Sequence, residues 1–205
     1  ENDKFIFKDF NFEIYRNEHI GLVGESGSGK STLIDIILGL LTPKTGKITL
    51  DDKVVDTKSE QWIDLFGYVP QTINLFNDSL FANITLEDQI DKIDTKKVNE
   101  VIEKCGLSKF VKKLNNGLET NVGEQGLKIS GGERQRIGIA RALYKNPEII
   151  IFDESFNSLD KFSKDNLFNV LNEISKSKTI INVSHNFEDL KNCDKIINLN
   201  ELNKK

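Results

Sequence analysis

The stretch HIGLVGESGSGKSTLIDIILGL, residues 19–40, leaves few folds open. It starts as a short apolar run ending in glycine, the pattern of a buried strand. It ends with apolar residues at helical spacing as far as Gly39. Between the two lies GESGSGKS (24–31), which fits the spacing G-x-x-x-x-G-K-[ST]. Gly24, Gly27 and Gly29 let backbone N–H groups turn inward around an anion with no Cβ in the way. The helix that follows directs its positive end at the same place. Lys30 suits the β- and γ-phosphates of a nucleotide and the Ser31 hydroxyl suits Mg²⁺, while Glu25, Ser26, Ser28 and Thr32 complete the candidate phosphate-binding set.

The rest of the chain reads as alternating strands and helices, which means an α/β sheet. FIFKDFNFEI (5–14) alternates apolar and polar residues and predicts an antiparallel strand. KITL predicts a short strand before the turn DDK, and FGYVPQ (66–71) another, stopped by Pro70. From about Ser79 to Leu118 the pattern is helical, with Val98, Val101, Ile102 and Cys105 on one face. IGIARALYKN (137–146) predicts a helix ended by Pro147. The continuous run IIIF (149–152) predicts a parallel strand buried on both faces. DKFSKDNLFNVLNEIS (160–175) is an amphipathic helix, and TIINVSH (179–185) and KIINLN (195–200) are further strands.

Composition excludes several functions. A net charge of −4, from 28 Lys plus Arg against 32 Asp plus Glu, argues against a domain that coats nucleic acid. Two cysteines far apart, Cys105 and Cys193, supply neither a disulfide framework nor a zinc site. Runs such as IILGLL are far shorter than the roughly 20 residues a membrane helix needs, so any membrane role is expected through a partner. With 38% hydrophobic and 29% charged residues, a soluble intracellular domain is expected.

Other candidates cluster at strand ends. Asp153 and Glu154 follow the apolar run IIIF, at the edge where α/β sheets bind ligands. Asp153 suits Mg²⁺ held through water, and Glu154 suits proton abstraction from an attacking water. Gln71 ends a strand at VPQ, where its amide can touch metal or water. His185 ends another at VSH, in reach of a γ-phosphate, and His19 is given no role. A second anion-reading stretch, KISGGERQR (128–136), opens a helix with Ser130, Gly131 and Gly132.

In this order these pieces resemble the ATPase domain of ABC transporters, over essentially the whole chain. VGESGSGKST is similar to the family's Walker A motif, IIIFDE to Walker B, YVPQ to the Q-loop, ISGGERQR to the signature, NSLD (157–160) to the D-loop and VSH to the switch histidine. Glu133 and Ile129 replace the usual signature residues, and Asn157 and Ser158 vary the D-loop while Asp160 stays. The resemblance implies a P-loop NTPase (RecA-like) core, 1–78 and 136–205. To this it adds an antiparallel β subdomain and an inserted α-helical subdomain at about 79–135. It implies ATP and Mg²⁺, with Glu154, His185 and Gln71 catalytic and Ser31, Gln71 and Asp153 near the metal. Ser130, Gly131, Gly132, Glu133 and Asp160 would read the nucleotide of a second copy of the chain. TNVGEQG (120–126) is similar to an exporter loop that faces the transmembrane partner, and VPQTINLFNDSLFANI to the exporter Q-loop region. The expectation is therefore a motor domain at the cytoplasmic face of the plasma membrane, driving an exporter whose cargo is a lipid or lipid-linked oligosaccharide. The family's adenine-stacking aromatic falls just before Glu1, so the chain reads as a fragment without that platform; Phe5 and Phe7 fit the core better. The alternatives are a soluble ABC ATPase acting on ribosome or DNA, and an unrelated P-loop kinase or GTPase.

Overall fold

The computed structural model describes residues 6–87, 94–123, 129–156, 159 and 161–202. Its centre is a five-stranded parallel sheet. The strands are β1 (His19–Val23), β4 (Phe66–Val69), β5 (Ile149–Asp153), β6 (Thr179–Ser184) and β7 (Lys195–Asn198), ordered β4-β5-β6-β1-β7. A separate antiparallel hairpin joins β2 (Thr49–Leu50) to β3 (Lys53–Val54). Its turn is Asp51-Asp52, both with φ positive at 48° and 63°, a geometry that short polar side chains tolerate.

Helices cover both faces of the sheet. On one lie α3 (Leu80–Thr85), α4 (Thr95–Lys104), α6 (Gly131–Tyr144) and α7 (Lys161–Ser175), whose apolar residues share a core with Val69, Ile150, Phe152 and Ile180. On the other, α1 (Lys30–Ile37) packs Leu33 and Ile34 against Leu22, Ile151, Ile181 and Ile197. Successive residues of β5 thus serve opposite cores, which is why IIIF has no polar alternation. The predicted stripe Val98, Val101, Ile102 and Cys105 is buried. The remaining helices α2 (Glu60–Ile63), α5 (Ser108–Val111) and α8 (Leu199–Leu202) are single turns. No helix among the described residues is long and apolar enough to cross a membrane.

One expectation is corrected. Residues 6–14 form no strand, although their sidedness is as predicted: Phe10, Phe12 and Ile14 are half-buried and Asn11 and Glu13 exposed. Asp9, with φ at 53°, breaks the extended backbone, and among the described residues β2 and β3 pair with each other and with no strand from this segment. The segment packs through aromatic contacts instead, Phe7 on Phe10 at 5.0 Å and Phe10 on Phe12 at 5.2 Å between ring centres. Phe5 lies outside the described residues.

Candidate active site

Parallel strands end at one edge, and that edge gathers the chemistry. The phosphate loop follows β1, Gln71 follows β4, Asp153 and Glu154 close β5, and His185 follows β6. Because β5, β6, β1 and β7 are successive neighbours, four segments distant in sequence meet over one cavity of about 950 Å³, while Gln71, after β4, does not line it and joins through its bond to Glu154. Gly24, Glu25, Ser26, Gly27, Gly29, Lys30, Ser31, Thr32, Glu154 and His185 all line the cavity.

The loop is shaped by its glycines. Gly29 caps α1 with φ at 96°, and a Cβ there would also press on Ile6 at 2.6 Å. No side chain caps α1, so its first turn presents backbone N–H groups that no intrahelical carbonyl can take. Asn200 Oδ1 accepts from the Glu25 N–H at 3.1 Å and fixes the outer side of the loop. Lys30 is buried, its ammonium donating to the carbonyls of Gly24 at 2.8 Å and Glu25 at 3.0 Å.

Glu154 is the centre of the polar cluster. Its Oε1 lies 3.7 Å from Lys30 Nζ, and its Oε2 accepts from Gln71 Nε2 at 3.2 Å and lies 3.6 Å from His185 Nδ1. Its backbone has φ at 48°, in the left-handed region. Such backbone costs of order 1–3 kcal/mol and gathers at working sites. Asp153 is held from the other side by the Tyr68 hydroxyl, which donates to Oδ2 at 2.9 Å. Burial pushes the Asp153 carboxyl above its ordinary range, with the Tyr68 bond opposing, and burial raises the Tyr68 phenol as well. Among the described residues no three His, Cys, Asp or Glu side chains converge as a ready-made cage. An ion here would be held by one carboxylate, a hydroxyl and substrate phosphates, which is the ligand style of Mg²⁺.

Ser130, Gly131, Gly132 and Glu133 line neither this cavity nor the Lys30 cluster. Ser130 is the N-cap of α6 in a full capping box. Its hydroxyl accepts from the Glu133 N–H at 3.3 Å and donates to Glu133 Oε2 at 2.9 Å, while that oxygen also accepts from the Ser130 N–H at 3.1 Å. Residues 120–123 are fastened beside the segment that follows Gln71: Leu80 N–H donates to Thr120 O at 2.9 Å and Val122 N–H to Asp78 O at 3.0 Å. Asp160, with Asn157 and Ser158, lies outside the described residues, as do Glu124 to Gly126.

Sequence reasoning missed three groups: Tyr68, Asn200 and Asp189. Tyr68 sits within an ordinary strand pattern, and Asn200 is one of many asparagines, so neither stood out. Asp189 follows the strand end by five residues and gave no signal of burial. Neither cysteine is a nucleophile at neutral pH, since burial pushes both thiols up to about 12.

A family model described as ABC transporter matches residues 7–157. The chain belongs to the ABC transporter family. It is therefore an ATP-binding domain of that family. Among curated relatives, the toxin RTX-I translocation ATP-binding protein of Actinobacillus pleuropneumoniae is 39% identical over 94% of this chain and 27% of its own length. The alpha-hemolysin translocation ATP-binding protein HlyB of Escherichia coli O157:H7 is 38% identical over the same shares, 94% and 27%. The chain thus spans about a quarter of the length of these two ABC proteins. A solved bacterial Atm1-family ABC exporter with ATP bound superposes with a TM-score of 0.84 and 31% identity, over 97% of this chain and 34% of that one.

Proposed function

We propose that this ATPase domain is the motor of an ABC exporter, working as one of two copies that close head to tail on ATP. The observation that carries the catalytic half is Glu154, a carboxylate at a strand end held between Lys30, Gln71 and His185. The loop N–H groups, the N-terminus of α1 and Lys30 take the β- and γ-phosphates. Glu154 accepts a proton from the water that attacks the γ-phosphorus, and the bond to the bridging oxygen of ADP breaks. Gln71 orients that carboxylate and the water, and His185 contacts the γ-phosphate oxygens as charge builds on them. Ser31, Gln71 and Asp153 would hold Mg²⁺, which neutralises phosphate charge.

That Ser130 does not line the cavity around Lys30 supports the dimer, since an anion-reading helix start outside its own site suits the nucleotide of a second copy. Asp160 belongs to the same trans set. Transport is favoured over action on ribosome or DNA by relatives named for translocation and by an aligned structure that is an exporter. The transmembrane partner would sit against the 120–126 region, at the cytoplasmic face of the plasma membrane. The lipid or lipid-linked oligosaccharide cargo rests only on the chain's general likeness to bacterial exporters of such molecules.

Glu154→Gln keeps shape and hydrogen bonding but removes the base. ATP binding should survive while turnover falls roughly 10²–10⁴-fold. Hydrolysis at the parental rate would remove Glu154 from this role.

A further inference from the structure

The segment carrying His185 is fastened by a buried carboxylate. Asp189 sits in the short 3-10 turn Phe187–Leu190 and is 3% exposed. Its Oδ2 accepts from Ser184 Oγ at 3.1 Å and its Oδ1 from Lys164 Nζ at 3.0 Å. Its N–H donates to Asn186 O at 3.2 Å, and its carbonyl accepts from Asn182 Nδ2 at 3.1 Å. Ser184 Oγ in turn accepts from the Asn186 N–H at 3.0 Å. Of the two chain neighbours of His185, Ser184 is thus held by the Asp189 carboxylate and Asn186 by the Asp189 N–H and the Ser184 hydroxyl. Asn182 and Ser184 belong to β6, so the fastening runs back into the central sheet.

Lys164 comes from α7, the helix after the Walker B acids. A second contact joins the same two elements, with Lys191 Nζ 5.7 Å from the centre of the Phe168 ring. An ion pair with its carboxylate buried and its ammonium partly so is a costly way to hold a turn, because desolvation offsets much of its attraction, and the best-attested use of such pairs is to fix one arrangement. Apolar packing alone would have held Leu190, which is fully buried beside it.

We propose that Asp189 is a positioning residue for His185, and that the Lys164–Asp189 pair makes the placement of His185 depend on α7. The proposal rests on the reading of His185 as a γ-phosphate contact. Asp189 itself touches no nucleotide. It sets where the imidazole stands relative to Glu154, now 3.6 Å away. A shift of α7 toward or away from the sheet would carry the turn with it, and with the turn the imidazole.

The test compares kcat and ATP affinity in the intact protein for Asp189→Asn, His185→Ala and the two combined. A misplacement of about 1 Å can cost up to ~10²-fold, so Asp189→Asn should lower kcat about 10-fold and change ATP affinity less than about 2-fold. Added to His185→Ala, it should lower kcat no further. Lys164→Met should reproduce the loss and Lys164→Arg should restore the parental rate. If Asp189→Asn does not fold, Ser184→Ala removes one hydroxyl only and carries the same expectation: slower turnover alone, no effect beside His185→Ala. Losses that multiply in the double variant would show that Asp189 acts elsewhere, and equal losses in affinity and turnover would show general disruption; either overturns the proposal. If His185→Ala is slow while Asp189→Asn and Ser184→Ala match the parent, the positioning role alone is wrong. If His185→Ala itself runs at the parental rate, the reading of His185 fails and the proposal with it.

Discussion

Lys30 has two sets of partners to choose between. Without phosphate its ammonium is satisfied by two backbone carbonyls and stands 3.7 Å from Glu154. Lys30→Ala therefore leaves the loop carbonyls and Glu154 without their cation, and leaves triphosphate charge facing dipoles alone. MgATP affinity should fall to little above background by isothermal titration. Equal binding by variant and parent would break the assignment. His19 yields a prediction of another kind. Its ring is buried in β1 and Nε2 has no hydrogen-bond partner. Burial therefore holds its pKa below the usual imidazole value, against an opposing pull from Asp194. The folded state prefers the neutral ring, so the unfolded chain takes the proton first as pH falls. This stability is complete above the ordinary imidazole pKa near 6.5 and is lost as pH drops through the lower folded value. His19→Phe should make the fall in melting temperature below about pH 6.5 shallower. An unchanged slope would mean that other groups carry the pH dependence.

At the scale of elements, α6 shows a residue with two employments. Ser130 was read from the sequence as an anion contact, yet in this chain its hydroxyl also closes a capping box with Glu133. Ser130→Ala should cost about 1 kcal/mol of stability as a lost cap, measurable by denaturant unfolding. Ser130→Asn should retain most of that stability, since asparagine caps as well as serine. A loss from asparagine as large as that from alanine would contradict the capping role. The box is also compatible with Glu133 in place of the family's usual glutamine, because either acceptor reaches back to the N-cap N–H. The elements themselves were legible wherever a periodic pattern had a partner to satisfy it. IIIF and the Val98 stripe became what they promised, because each meets apolar surface on the sides the pattern demands. Residues 6–14 did not become a strand. Alternation reports which side is buried, whereas a ladder needs a second edge, and no local sequence records whether one is available. The site was legible because its motifs carry fixed spacings. Tyr68 and Asp189 were not, because their roles come from neighbours 85 and 25 residues away, Asp153 and Lys164.

The whole molecule, on the proposed reading, is half of a machine. Glu154→Gln should accumulate the ATP-bound form and show a dimer by light scattering in MgATP. The parent should be monomeric with ADP or without nucleotide. Ser130→Arg should abolish that dimer and leave ATP binding by the monomer nearly intact, beyond the modest cost of the lost cap. If Ser130→Arg destroys ATP binding by the monomer, the signature reads its own chain's nucleotide and the dimer model falls. The strand order has a consequence in time as well as in space. β1 holds the phosphate loop, and its two neighbours are β6 and β7, which begin at Thr179 and Lys195. On a ribosome the loop therefore emerges well before the strands that flank its own. Until they arrive, β1 has no ladder on either side, and the loop has no fixed base from which to hold a phosphate. A nascent chain of this design cannot begin spending ATP before nearly all of its sheet has been made.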